Sequence, residues 1–332
     1  MATDLQARGT GAVNTAHEQA GGVAAVVITY NPDGEVLPRL LDRCAAQVAR
    51  IIVVDNGTTA VDVPALCRPF VARCPITFVP LGTNLGIAAA QNRGIEVAKA
   101  AGAEYVLLLD HDSVPADNMV AALRQADRQL RDAGVEVGAV GAVTHDRRTG
   151  TTSKVVRMVH GRVQRLASQT SEPYIEADFL IASGTMIAIS VLERHGMMNE
   201  GYFIDHVDTE WCLRVKARGM RLFAIPRARL EHALGDHVVR VWLGRWREVP
   251  VHSPARDYYM FRNTVRMLLT TPMSLAWRIT HVFRLSQFAV FFGLGMSPRL
   301  KRIRLMTRGI IDGVKGRGGA LVDARPGRGS NR

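Results

Sequence analysis

Two carboxylates one residue apart, Asp110 and Asp112 with His111 between them, close the apolar run Tyr105–Leu109. That run is short, uncharged and β-prone, so the sequence predicts a buried strand whose end presents both acids together. In an open α/β sheet, ligands gather at the carboxyl ends of the strands. Paired carboxylates there suit a hard divalent cation, Mg²⁺ or Mn²⁺, which prefers oxygen ligands and usually keeps phosphates among them. Alone, an Asp-x-Asp is far more often a solvated turn. Its weight depends on what else reaches the same edge.

The elements needed to build such an edge can be read off the pattern. Val23–Thr29, Ile51–Val54, Ile76–Pro80 and Tyr105–Leu109 read as strands. Glu35–Ala49, Pro64–Cys74, Gly86–Ala101 and Pro115–Arg131 read as the helices after them, the last with Pro in its first turn. This βα alternation predicts an α/β fold, a mostly parallel sheet with helices on both faces. Right-handed crossovers then bring the strand ends to one side. Beyond Val143 the pattern loosens. Thr151–Val163 reads as a hairpin or flap, Glu176–Ile189 as two short strands around Ala182-Ser183-Gly184, and Val207–Arg218 as a helix. Met220–Ile225 reads as the last strand, with helices from Ser253 onward.

Four more motifs fall where strands end or helices begin. They are Thr29-Tyr30-Asn31-Pro32, Asp55-Asn56-Gly57, the run from Asn84-Leu85-Gly86 to Gln91-Asn92-Arg93-Gly94, and Asp205-His206-Val207-Asp208-Thr209-Glu210-Trp211-Cys212-Leu213-Arg214. In this order and spacing, with Asp110-His111-Asp112, they resemble the inverting nucleotide-sugar glycosyltransferases of family 2. The resemblance runs over roughly residues 23–265 and implies a GT-A, Rossmann-like fold. Within the family it is similar to bacterial rhamnosyltransferases, which share the Asp-Thr-Glu-Trp-Cys-Leu-Arg helix and the later Arg256–Asn263 segment. Several of those use dTDP-L-rhamnose and build cell-surface polysaccharide on lipid carriers. A UDP-galactofuranose or UDP-GlcNAc transferase is the alternative within the class.

The resemblance, joined to physical chemistry, gives each residue an expected part. Asp55 accepts the ring N3–H of thymine or uracil, a charged acceptor making the stronger bond, with Thr29 and Asn31 beside base and ribose. Asn84 caps a helix, Gly86 lets its backbone approach a ligand, and the helix N-terminus favours phosphate. Asn92 and Arg93 follow two turns on. Asp110 holds ribose or a metal water, Asp112 binds the metal, and His232 completes that site. Inversion in one displacement needs a base opposite the leaving group, and Asp208 is that candidate. Glu210 is the nearby acid that supports or rivals it. Ser183-Gly184 floors the acceptor site, and Arg262 and Asn263 bind diphosphate or acceptor.

Composition sets the remaining expectations. Ten Lys/Arg against two Asp between Pro298 and Arg332 supply +8 of the formal +12. Phe288–Phe292 and the preceding apolar residues, followed by Arg299–Leu305, suggest an interfacial anchor on anionic lipid. Expected boundaries are a disordered leader to residue 22, a catalytic domain over 23–240, a membrane-associating helical region over 241–318 and a disordered basic tail from 319. The expected place is cytoplasmic, at the inner face of the cell membrane. Expected partners are a nucleotide sugar, a saccharide or lipid-linked saccharide and that membrane; the sequence also accommodates a homo-oligomer. No segment reaches a spanning length, and the four cysteines form no CxxC pair. A non-catalytic scaffold or nucleic-acid-binding protein would leave both acidic motifs unexplained, and no basic-aromatic RNA motif is present.

Overall fold

The computed structural model describes residues 22–146, 150–232, 237–242 and 246–321, with backbone alone for 232, 237–242 and 246–251. Strand β1 (Val23–Thr29) is buried on both faces. Successive side chains of a strand point to opposite sides, and here each side meets a core. Ala24, Val26 and Ile28 enter one apolar cluster; Val23, Ala25 and Val27 enter another. Helix α1 (Val36–Ala45) covers the second cluster with Leu37, Leu40, Leu41 and Cys44. Strand β2 (Arg50–Asp55) pairs in parallel with β1, and β3 (Ile76–Pro80) with β2 after the short helix α2 (Val63–Cys67). Helix α3 (Ile87–Ala100) lies on the first cluster. It sits so close that a Cβ at Gly94 would fall 2.2 Å from a methyl of Val26. Strand β4 (Tyr105–Asp110) completes the parallel half on the other edge of β1. The registers Thr29↔Asp55 and Ile28↔Asp110 put three of the expected residues on one edge.

The other half of the sheet is mixed, with parallel and antiparallel pairs, where the sequence pattern loosens. Past β5 (Ser113–Pro115) and α4 (Met119–Asp132) come β6 (Val137–Asp146) and a separate hairpin of β7 (Val155–Val159) and β8 (Arg162–Leu166). Strand β9 (Ile175–Ala177) leads to β10 (Thr185–Ala188), which slots antiparallel between β4 and β6. Helices α5 (Ile189–His195) and α6 (Val207–Lys216) precede β11 (Arg221–His232), which runs parallel to β6. The sheet order is β3-β2-β1-β4-β10-β6-β11-β5, with β9 also on β11.

Three expectations shift. Pro115 does not open a helix but pairs with Leu230 in the β5–β11 ladder, so α4 starts at Met119. The strand expected to end at Ile225 runs on to His232 through a register break after Ile225. A hairpin of β12 (His237–Trp242) and β13 (Trp246–Val251) then precedes the helices. Residues 1–21 and 322–332, most of the expected leader and tail, lie outside the described residues. Gly319, expected in the tail, is instead docked, donating its N–H to the Gly201 carbonyl at 3.0 Å.

Helices α7 (Pro254–Thr270), α8 (Leu275–Val290) and α9 (Arg299–Val314) close the chain. A buried Arg302–Asp257 pair at 2.6 Å and a Tyr258–Asp312 hydrogen bond at 3.0 Å hold α9 along α7. The indole N–H of Trp277 donates to Asp178 at 2.7 Å and ties α8 to the catalytic body. Among the described residues no helix is long and apolar enough to cross a membrane.

The rings of His206 and His281 meet edge to face, 5.9 Å apart, where α6 approaches α8. Burial, His281 and Arg284 push His206 down to about 3, and burial and Arg284 push His281 to about 4. Both rings are therefore neutral in the fold. Below their unfolded value of about 6.5, the unfolded chain takes up protons that the native rings refuse. Stability is thus lost progressively as pH falls from there toward 4. At a pH of about 5 the pair should cost on the order of 2–4 kcal/mol. Urea unfolding near neutrality and near that pH should show the loss. His281→Phe should reduce it, and an unchanged acid loss in that variant would remove the pair as its source.

Candidate active site

A cleft of about 630 Å³ opens at the edge where β1 and β4 end. Tyr30, Asn56, Asn84, Gly86 and Gln91 line one part, Asp110 to Asp112 the middle, and Ile181, Ala182, Phe203 to Asp208 and Arg256 the rest.

The Asp55 end is rigid. Buried Thr29 donates its hydroxyl to Oδ1 of Asp55 at 2.9 Å, and the Thr58 N–H donates to Oδ2 at 3.2 Å. These bonds fix the carboxylate plane beside the cleft. Asn31, at φ 48°, accepts from the N–H groups of Thr59 and Ala60 and so ties down the loop after Asp55. Asn56 donates to Oδ1 of Asn84 at 3.1 Å, and that same oxygen takes the Gly86 N–H at 3.0 Å.

The start of α3 is filled by protein. The Ile87 N–H donates to the Phe203 carbonyl at 2.6 Å. Gly86, at φ 92°, lies so close that a Cβ would be 2.6 Å from the Phe203 ring. Its positive φ and the closeness of Phe203 both require glycine there. Asn92 faces away from the cleft and clips both backbone groups of Met198 at 2.9 Å, while Arg93 is on the surface with Glu96. Neither lines the cleft. Gln91, overlooked in the sequence, does; it is buried and faces inward from the same helix.

Three carboxylates share the middle of the cleft. Burial, then Asp112 and Asp208, push Asp110 up to about 7. Burial likewise raises Asp208, against N–H bonds from Thr209 and Ala182 that favour its ionised form. Such mutually repelling oxygens, partly exposed in one cleft, fit a hard divalent cation. The Asp110 N–H donates to Oγ of Ser183 at 3.0 Å, and that Oγ meets Oγ of Ser113 at 2.8 Å. Ser183 therefore braces the acidic turn from below. Gly184, at φ 85°, packs against Leu230. His232 ends β11 in register with Ser113, one residue from Asp112. Its imidazole lies outside the described residues. Among those described, no group of three His, Cys, Asp or Glu takes up a metal-binding arrangement.

Asp208 and Glu210 part company. Asp208 lines the cleft. Glu210 is buried on another side of α6, held by Arg214 at 2.8 Å. Two residues on a helix point apart, and here only one of the two acids reaches the cleft.

Arg262 and Asn263 take a different part from the one expected. Both are fully buried and neither borders the cleft. Arg262 donates to the carbonyls of Gly201, Tyr202 and Gly319, and Asn263 to those of Tyr202, Ile204 and Asp205. They hold the segment that carries Phe203, Asp205 and His206, all at positive φ near 60°. The residue of that helix that does face the cleft is Arg256, paired with Asp205 at 3.1 Å. It lies in the first turn of α7, and among the described residues it is the one Lys or Arg lining the cleft. Arg262 and Asn263 are turned into the core and Arg256 toward the cleft, because helix phase cannot be read until the packed face is known.

A sequence model of glycosyl transferase family 2 matches residues 24–196. Over 299 residues, the chain is 31% identical to dTDP-rhamnosyl transferase RfbF of Shigella flexneri, covering 89% of this chain and 96% of that one. Among solved structures, it resembles GalNAc-T7 crystallised with UDP, GalNAc and Mn²⁺, with a TM-score of 0.58 at 13% identity over 88% of this chain and 56% of that one. It also resembles Staphylococcus aureus TarS 1-349 in complex with UDP-GlcNAc, with a TM-score of 0.57 at 15% identity over 88% and 80%. At such identities the structural likeness speaks for the fold.

Proposed function

The chain belongs to glycosyl transferase family 2, and on that premise we propose that it moves L-rhamnose from dTDP-L-rhamnose, with inversion, to a hydroxyl of a lipid-linked saccharide in cell-surface polysaccharide synthesis. The observation that carries the reading is that Asp208 and the Asp110–Asp112 pair share one cleft, which Asn56, the residue after the fixed Asp55, also lines. The rhamnosyl donor is supported by the relative of known name. The lipid carrier, and a place at the inner face of the membrane, are supported by the apolar and cationic character of the last helices.

In this mechanism Asp55 takes the ring N–H of the base, its carboxylate held in plane by Thr29 and Thr58. Arg256 faces the cleft as a cation for the diphosphate. Asp110 and Asp112, with His232, would hold Mg²⁺ or Mn²⁺, which supplies charge neutralisation for the departing diphosphate. Asp208 accepts the proton of the acceptor hydroxyl as that oxygen attacks the anomeric carbon from the side opposite the diphosphate. Asp205, engaged by Arg256, does not compete for that proton.

Nucleoside-diphosphate release from a panel of nucleotide sugars tests this reading. We expect dTDP-L-rhamnose to be fastest and excess EDTA to stop release. Preference for UDP-galactofuranose or UDP-GlcNAc would move the donor within the class. A GDP sugar used equally well would refute base recognition by Asp55, and full activity in EDTA would refute the metal.

A further inference from the structure

Helix α8 presents an apolar stripe to solvent. Leu275, Ile279, Val282 and Phe283 recur at three- and four-residue steps, Val290 follows seven residues on, and each is more than half exposed. Leu294 continues the line past the end of the helix. An exposed stripe of this kind on a soluble domain marks an interaction surface rather than ordinary surface scatter. It adjoins a second feature. Gly293 lies against Ile303 of α9, and α9 exposes Leu300 beside Arg299, Lys301 and Arg304. From Met273 to Leu321 the one acid is Asp312, which is buried. Apolar side chains are therefore flanked by cations with no exposed carboxylate among them.

We propose that the outer face of α8, with the first turns of α9, is the docking surface for an anionic lipid bilayer. The stripe supplies apolar side chains for the headgroup–acyl boundary, and the cations meet lipid phosphates. A second copy of the chain fits less well, because the surface would set cations against cations. The core supports this division of labour. Trp277 and His281 point inward from α8, and Phe292 and Met306 pack beneath its end. The helix is anchored by its inner face, which leaves the outer face free of any structural duty. The proposal deepens the lipid-linked reading but does not depend on which sugar is transferred.

The test uses the full chain and sedimenting vesicles of equal parts phosphatidylglycerol and phosphatidylcholine. The wild type should partition onto them at low salt and come off as ionic strength rises. It should bind phosphatidylcholine alone at least about tenfold less. Ile279→Asp with Phe283→Asp should lower partition at least about tenfold. Donor hydrolysis in solution should be unchanged, since neither residue is near the cleft. Wild type that ignores the anionic vesicles, or a double variant that binds as well as wild type, overturns the proposal. So does a wild-type dimer that the double variant converts to monomer without any vesicle binding. Loss of vesicle binding with intact release of nucleoside diphosphate keeps this question separate from the transferase reading, which stands or falls on the release assay.

Discussion

Asp208→Asn is expected to lower turnover by roughly 10²–10⁴-fold, the usual worth of a general base, while the donor still binds. Asparagine keeps the size and the bond from the Thr209 N–H, now to its amide oxygen, but cannot take a proton. The residues proposed to hold the donor and its metal, Asp55, Asp110 and Asp112, are untouched by the substitution. Calorimetry with the nucleoside diphosphate should therefore give a near-normal Kd alongside the lost kcat. Glu210→Gln is the paired control. Glu210 is held by Arg214, whose guanidinium also donates to the carbonyls of His195 and Met197. Its loss should lower stability and leave the chemistry largely intact. A dead Glu210→Gln variant beside an active Asp208→Asn would reverse the assignment. If both lose donor binding, the motif belongs to the donor site and neither acid is the base.

Asn263→Leu should have the second-largest effect, without any contact to substrate. It leaves the carbonyls of Ile204 and Asp205 without the Asn263 amide and the Nε–H of Arg262 without its acceptor, while the Tyr202 carbonyl keeps its bond from Arg262. Each orphaned buried group costs about 1–3 kcal/mol, so a loss of about 3 kcal/mol or more is expected. The held segment is strained. Phe203 sits at φ 60° and ψ −63°, with its ring stacked on Tyr259 at a centroid distance of 5.0 Å. Residues in such regions persist only where the surroundings over-determine them. Once released, the segment should let Asp208 drift, and a shift of about 1 Å can cost about 10²-fold in rate. The loss should fall mainly on kcat, with KM for the donor moved less. Arg262→Lys, which loses the planar fork but keeps the charge, should show a milder form of the same split and covers the case in which Asn263→Leu does not fold. Wild-type kcat in a folded Asn263→Leu protein would show that the segment is held by other means.

The parallel half of the fold was legible because its signals are local. Strands such as Val23–Thr29 and Tyr105–Leu109 are continuous apolar runs, since they are covered on both faces. Strand ends in a βα series must gather on one edge, so Thr29, Asp55, Asp110 and Asp112 could be placed together before any coordinates. The mixed half was harder. β5 is three residues long and exists only because β11 lies beside it. No local period announces a strand of that length, so Pro115 read as a helix start.

At the site, the sequence by itself determined that the acidic motifs reach one side of the sheet, because strand ends in a βα series gather there. Only the tertiary structure decided which member of each motif faces the cleft. Asp208 is chosen over Glu210 because α6 turns Glu210 toward Arg214. Arg256 is chosen over Arg262 because α7 buries the latter under the 201–205 segment. Gln91 faces in while Asn92 clips Met198, one residue and about 100° of helix away. Helix phase is fixed by which face finds a partner elsewhere in the chain, and that information is not local to any motif.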